Sequence, residues 1–281
     1  MSGRSQHDVE EFSSWLFAEM ESELNPRRLE ALSNERTTIT SDQNKELAAD
    51  PLTLTQHTIA YNYLLEYIQG PIAHAFRYVL HEESRCSACK YTKNTWEQGR
   101  LFTIQAIEFK TSKAKSLQEQ FCLLYSGRPE KIPESRCTDE KNCGKVNTTT
   151  RVKMVSHFAD YLQIYINRTA IAIDGKSYKE QVHIPLGGTE WDLSSCLAPG
   201  SSPDTVCMYD VYAVVHHLGS EHNGGHYTVM TRSLDKPPGA RQDEAGSWHY
   251  FNDQSVVPLG QAGRRLDQAM ATVFLRKRGV A

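Results

Sequence analysis

No stretch of this 281-residue chain carries the unbroken apolar run that a bilayer crossing needs, and its opening, MSGRSQHDVEEF, lacks the apolar core of a secretion signal. Neither sign of charge dominates. Lys and Arg number 31 against 34 Asp and Glu, a net of -3, which argues against a nucleic-acid footprint. These absences predict a soluble chain of the cytoplasm and/or nucleus, with no membrane and no nucleic-acid partner. No internal repeat is visible. The seven cysteines are an odd number, and without a secretion signal they read as thiols or metal ligands rather than a disulfide framework. What is present, 39% hydrophobic and 23% charged residues, suits an ordinary globular protein with one large core or two modest ones.

Along the chain, residues 5–24 read as an amphipathic helix. Val9, Phe12, Leu16, Met20 and Leu24 recur at steps of three and four with acids between them. Ser5 followed by Asp8 has the form of a capping box, with Asp in place of the preferred Glu or Gln. A polar stretch over 27–56 reads as a loop or insertion with few anchors. Apolar content returns from Tyr61, and a second helix is predicted over 116–125. Strand-like alternation then takes over: Leu162, Ile164 and Ile166 share one face, and further strands are predicted over 208–216, 227–231, 248–251 and 272–275. The predicted organisation is a helical N-terminal piece, a cysteine-bearing middle and a β-rich C-terminal half.

Cys86-x2-Cys89 and Cys137-x5-Cys143 are two tight pairs, and two such pairs can place four thiolates tetrahedrally around one zinc ion. Arg85, Lys90 and Lys93 lie beside the first pair and favour thiolates. The alternative is four independent thiols, since five intervening residues make the second knuckle loose. Cys122 falls in an apolar helical pattern and reads as core, as do Cys196 and Cys207 near strand ends.

The stretch AVVHHLGSEHNGGHYTVMTRS, residues 213–233, sets His226 behind consecutive glycines at the entry to a strand. Such a histidine is either a plain loop residue or a base. Asn252, in WHYFNDQSVVPL, lies 26 positions on, at the end of a neighbouring predicted strand. An Asn that accepts from one imidazole nitrogen leaves the other to take a proton from a nucleophile. Asp253 can add charge or replace Asn252. Gly224 and Gly225 remove side chains just before the base, so that a slender substrate backbone can pass.

Three separated blocks together resemble one family, the ubiquitin-specific proteases, which are papain-like thiol hydrolases. QHDVEEF, residues 6–12, is similar to the family's glutamine box. YDVYAVVHHLGSEHNGGHYTVM, residues 209–230, with WHYFNDQSV, residues 248–256, is similar to its histidine box; the cysteine pairs resemble its zinc-bearing fingers, and HFADYLQIYINR, residues 157–168, the strand that follows them. The resemblance implies an α+β fold with a papain-like palm and zinc-bearing fingers, divided into a glutamine-box helix (5–24), a polar loop (27–56), a fingers region (61–155) and a β-rich palm (157–281). It implies His226 as catalytic base, Asn252 as the residue that orients it and Asp253 as the neighbouring acid. Gln6 would line the substrate channel, while Asp8 and Glu11 would meet the basic tail of ubiquitin; without the resemblance those acids read as a solvated helix N-terminus helped by the macrodipole. His217 reads as structural. Zn2+ is the implied structural cofactor, on Cys86, Cys89, Cys137 and Cys143. Ubiquitin or ubiquitinated proteins are the implied partners, within a larger regulatory assembly.

The sequence departs from the family's pattern in one respect. Its cysteine box, a Gly-x-Thr-Cys-Tyr type motif, lies upstream of the glutamine box, and no cysteine here has that context. The expectation is therefore an N-terminally incomplete catalytic domain, short of its nucleophile and most of its helical thumb, inactive as given. Two readings compete with a deubiquitinating thiol protease: a catalytically inactive ubiquitin-binding or scaffold module, and a zinc-stabilised interaction domain unrelated to ubiquitin, which accounts for the cysteines but not for the two boxes.

Overall fold

The computed structural model describes residues 9–24, 36–40, 70–171, 175, 177–180, 182–199, 207–219, 224–232, 247–260 and 269–279. Four helices lie among them: α1 (Val9–Leu24), α2 (Pro71–Phe76), α3 (Ala106–Thr111) and α4 (Leu117–Tyr125). The strands of the first half are β1 (Arg36–Thr40), β2 (Tyr78–Cys86), β3 (Thr92–Gly99), β4 (Leu101–Gln105), β5 (Glu130–Arg136), β6 (Val146–His157) and β7 (Tyr161–Asn167). Those of the second are β8 (Thr169–Ile171), β9 (Ser177–Lys179), β10 (Glu190–Asp192), β11 (Met208–Leu218), β12 (His226–Arg232), β13 (Trp248–Asn252), β14 (Ser255–Gly260) and β15 (Met270–Lys277). The fold is α+β.

Two sheets organise the molecule. A five-stranded sheet runs β1-β3-β2-β6-β5, and an eight-stranded sheet runs β14-β13-β12-β11-β15-β7-β4 with β10 beside β11. The strands predicted by alternation are present in the larger sheet, each extended by a residue or more at its ends. Among its described residues the segment read as a polar loop holds a strand, β1, which pairs with β3. Its run Arg-Thr-Thr-Ile-Thr has the β-branched content of an edge strand, outweighed in the sequence by the polar residues around it.

One face of the eight-stranded sheet carries the core. Ile164, Val214, Trp248 and Val273 are buried on it, with Leu117 and Phe121 of α4 laid across. Phe102 stacks on Tyr78 and meets Phe121 and Tyr125 edge-on. Fully burying one such side chain stabilises by about 1.5–3 kcal/mol. Helix α4 forms where its apolar spacing predicted, and Ser116 caps it by accepting from the Glu119 N–H at 3.2 Å.

Helix α1 turns much of its expected apolar face outward. Phe12, Leu16 and Leu24 of the apolar stripe are exposed, while Ser13 and Glu21 are buried. The cause is polar anchoring. The Glu21 carboxylate accepts from Arg77 Nη2 at 2.8 Å and Nε at 3.1 Å, and Gln98 Oε1 accepts from Arg77 Nη1 at 3.0 Å. Two turns up, Gln163 Nε2 of β7 donates to Ser13 Oγ at 2.8 Å. A buried, two-pronged guanidinium–carboxylate pair holds its geometry, so the helix is anchored through these polar side chains, with Phe17 between them packed on Phe76 at 4.5 Å between ring centroids.

Candidate functional site

Strands β11 and β12 form an antiparallel hairpin, with Leu218 opposite His226 and His217 opposite Tyr227. Strand β13 lies against β12 and ends at Asn252. Side chains two apart share a face, so Thr228 and His226 look the same way and Asn252 reaches the imidazole diagonally. His226 Nε2 stands 2.6 Å from Asn252 Oδ1. An amide oxygen only accepts, so this bond places the ring proton on Nε2 and leaves Nδ1 with the lone pair. Asp253 takes a left-handed conformation, φ 51°, in the turn to β14; its Oδ2 lies 3.8 Å from His226 Nε2. The carboxylate is within electrostatic reach but beyond a hydrogen bond, and it is largely solvated. The His226 side chain is 41% exposed, accessible to an incoming group.

Gly224 is half-buried beside the histidine. Gly225 is exposed, with φ +147°, and a Cβ there would sit 2.4 Å from Leu218 O and 2.6 Å from the His217 ring. The molecule's own backbone and a buried ring therefore require glycine at 225.

Of the residues on the first helix, Gln6 and Asp8 lie outside the described residues, as does the Ser5–Asp8 cap. Glu11 is exposed in the first turn of α1 beside Glu10, where acids are favoured by the helix dipole.

The four paired cysteines come together. Cys86 closes β2 and Cys89 lies in the turn to β3, while Cys137 and Cys143 lie between β5 and β6, at the same end of the five-stranded sheet. Their sulfurs all lie within 4.8 Å of one another, and Cys89 Sγ is 3.7 Å from Cys137 Sγ. A tetrahedral ion with Zn–S bonds of about 2.3 Å separates its sulfurs by about 3.8 Å, so the set fits such an ion. Each pair is closed by a left-handed residue just after its second cysteine, Lys90 at φ 63° and Gly144 at φ 56°. The turns are pinned by Lys90 N to Cys86 O at 3.1 Å and by Cys143 N and Gly144 N to Asp139 O at 2.9 and 2.8 Å. Burial resists ionisation of Cys86, but N–H donors from Cys89 and Ala88, with the Cys89 and Cys137 thiols, bring it down to about 6. Backbone amides thus favour the thiolate at Cys86, while burial first of all pushes Cys137 up to about 12; the Lys90 ammonium donates to Ser87 O at 2.8 Å.

The remaining thiols lie in or against the core, where Cys196 and Cys207 are buried and Cys122 is half-buried. Sequence spacing did not reveal that Cys122, on α4, meets Cys196 in the 3-10 turn Ser194–Cys196. A hydrogen bond between the two thiols brings Cys122 down to about 7, and together with burial raises Cys196. Nor did it reveal the Glu21–Arg77 pair, whose partners are 56 residues apart. The His226 ring pairs with Asn252 and faces Asp253, and neither is a thiol.

The family model described as ubiquitin carboxyl-terminal hydrolase matches residues 1–275. Ubiquitin carboxyl-terminal hydrolase 21 of Homo sapiens is 24% identical over 266 residues, covering 92% of this chain and 44% of that protein. The probable ubiquitin carboxyl-terminal hydrolase 4 of Schizosaccharomyces pombe is 27% identical over 227 residues, 79% of this chain and 36% of that one. The chain thus spans less than half the length of these relatives. Among solved structures, the SAGA Ubp8/Sgf11/Sus1/Sgf73 DUB module bound to ubiquitin aldehyde aligns with a TM-score of 0.59 at 18% identity, over 86% of this chain and 52% of that one, a likeness of fold.

Proposed function

The chain belongs to the ubiquitin carboxyl-terminal hydrolase family, and from that premise we propose that it is the palm-and-fingers part of a thiol deubiquitinase, cleaving the peptide or isopeptide bond after the C-terminal glycine of ubiquitin. The observation that carries the proposal is the 2.6 Å bond from His226 Nε2 to Asn252 Oδ1, because it leaves Nδ1 as the base. A thiol brought within about 3 Å of that nitrogen gives up its proton, and the thiolate attacks the glycine carbonyl carbon. The imidazolium returns the proton to the departing amine, and water then hydrolyses the thioester. Asn252 holds the ring without adding charge, and Asp253 steadies the imidazolium through space. Gln6, Asp8 and Glu11 of the first helix are assigned to the ubiquitin tail, the acids pairing with its arginines, and Gly224 and Gly225 to the narrow passage beside the base.

Cys86, Cys89, Cys137 and Cys143 would hold a structural Zn2+, supported by the mutual distances of their sulfurs. When bound, the ion cross-links the two hairpin ends that carry them, and it has no part in the reaction.

The positions of the seven thiols favour a second reading for the 281 residues taken alone. Four gather at the end of the five-stranded sheet and three lie in or against the core, so these residues bind ubiquitin without cleaving it. The solved module resembling this fold carries bound ubiquitin aldehyde and companion subunits, and a corresponding assembly in the cytoplasm and/or nucleus is proposed here.

A ubiquitin probe with a thiol-reactive C-terminus separates the readings. The 281-residue chain should stay unlabelled, while the same chain joined to an N-terminal segment bearing a Gly-x-Thr-Cys motif should label at that cysteine, and His226→Ala should abolish labelling. Labelling of any of the seven native cysteines that depends on His226 would overturn the assignment of the nucleophile.

A further inference from the structure

His217 is 4% exposed, next to a base whose own side chain is 41% exposed. Its ring touches the residues on both sides of His226. The His217 and Tyr227 rings lie 4.4 Å apart, centroid to centroid, tilted by 53°. On the other side, a Cβ on Gly225 would approach His217 Cε1 and Nε2 to 2.6 Å. The His217 ring is in turn fixed by Lys179, the last residue of β9, whose ammonium meets Nδ1. An ammonium only donates, so Nδ1 accepts and the orientation of the ring is fixed. The backbone of His217 is tied as well. Its N–H donates to Ala269 O at 3.0 Å, and its carbonyl accepts from Arg168 Nη1 at 3.3 Å.

We propose that His217 is the positioning residue for His226: its buried ring, clamped between Gly225 and Tyr227, sets the backbone from which the His226 imidazole keeps Nε2 on Asn252 and Nδ1 as the base. The proposal rests on His226 being that base. A pleated strand end is free to twist, and the entry to β12 is led by glycines, which resist twisting least. A misplacement of about 1 Å at a reacting group can cost roughly a hundredfold in rate, so a rigid seat beneath this turn has a catalytic consequence. Packing of His217 alone would be met by an apolar side chain. Contact with both neighbours of His226 is what singles out the ring.

The test reads His226 directly in the full chain, by nitrogen-15 histidine NMR. The parent should show His226 as a single Nε2–H tautomer with a protected ring proton, and Asn252→Ala should remove that protection. His217→Ala should release the tautomer and speed exchange of the proton about tenfold, the factor that corresponds to one hydrogen bond of ordinary net strength. Two further variants separate ring from acceptor. His217→Asn keeps an acceptor for Lys179 without the ring and should behave as His217→Ala; His217→Phe keeps a ring without the acceptor and should restore most of the parental signature. If His217→Ala fails to fold, these two decide the matter. Parental protection in His217→Ala, or full rescue by Asn with none by Phe, overturns the positioning role while leaving the His226–Asn252 pair intact. A parent in which Asn252→Ala changes nothing overturns the site assignment and this proposal with it.

Discussion

In the eight-stranded sheet, Trp191, Trp248, Tyr209 and Phe102 are buried, and Leu162, Ile164 and Ile166 of β7 all point into the core. In the five-stranded sheet, β5 has no buried residue and β6 has one in twelve, Val155. At its far end the buried apolar side chains are Cys86 and Cys137. One sheet closes over aromatic and aliphatic volume. The other buries Tyr78, Val79, His81 and Trp96 on β2 and β3, but its strands β5 and β6 bury almost nothing, and its far end is gathered by four thiols. Burial of apolar area suffices for the first, whereas strands with so few buried side chains are marginal without a cross-link.

Metal removal should break the comparison most sharply. Structural zinc in small domains contributes apparent binding energies of about 10–16 kcal/mol. Chelation, or Cys137→Ser, should therefore abolish amide-exchange protection along β2, β3, β5 and β6 near the cysteines while that of β7, β11 and β15 persists. Mass spectrometry of the native protein should find one zinc per parent chain and none in the variant. Equal loss of protection in both sheets would show that the two regions fold as one.

On the other side of the comparison, Trp248→Ala should cost about 3–5 kcal/mol by urea unfolding, because it empties a fully buried indole site. It should leave zinc stoichiometry at the parental value.

At the junction, Arg77→Met takes from the buried Glu21 carboxylate its two-pronged partner and leaves the longer contact with Arg100 Nη1 at 3.8 Å. Breaking such a pair costs about 3 kcal/mol or more, and Arg77→Met with Glu21→Leu should recover most of it. A single variant as stable as the parent would remove α1 from the cooperative unit.

The smallest effect is a pH dependence at His157, which ends β6 beside the larger sheet. Burial, then the charges of Lys277 and His74, hold this imidazole down to about 4. Above its unfolded value near 6.5 both states are neutral and stability is complete. As pH falls from about 6.5 toward 4 the unfolded chain takes a proton that the folded one refuses, so stability drops by about 2 kcal/mol after allowance for partial exposure. Thermal melts of His157→Gln should be flatter over that window, and an unchanged slope would refute the assignment.

Features set by neighbouring residues are legible in the sequence. Alternation located β7, β11, β12, β13 and β15, and apolar helical spacing located α4, because burial on one face imposes a period that the chain must repeat. The Cys86–Cys89 spacing marked half of a cysteine cluster whose sulfurs could hold a metal ion, and His226 and Asn252 stood out at two strand ends that the structure brings together. Strand β1 was hidden because its five residues lie inside a polar stretch whose composition outweighs their β-branched content.

What the sequence by itself determined is five strands of the larger sheet, the helix after Ser116 and the candidate chemistry-bearing residues, each dictated by side chains within a few positions of one another. Only the tertiary structure decided which side of α1 faces the protein, since Glu21 and Ser13 find partners 56 and 150 residues away, and buried charge overrides an apolar stripe when its partner is in place. The same holds at the site. Spacing singled out His226, Asn252 and Gly225, but the 2.6 Å bond to Asn252 and the His217 ring that forbids a side chain at 225 exist only where β11, β12 and β13 lie side by side.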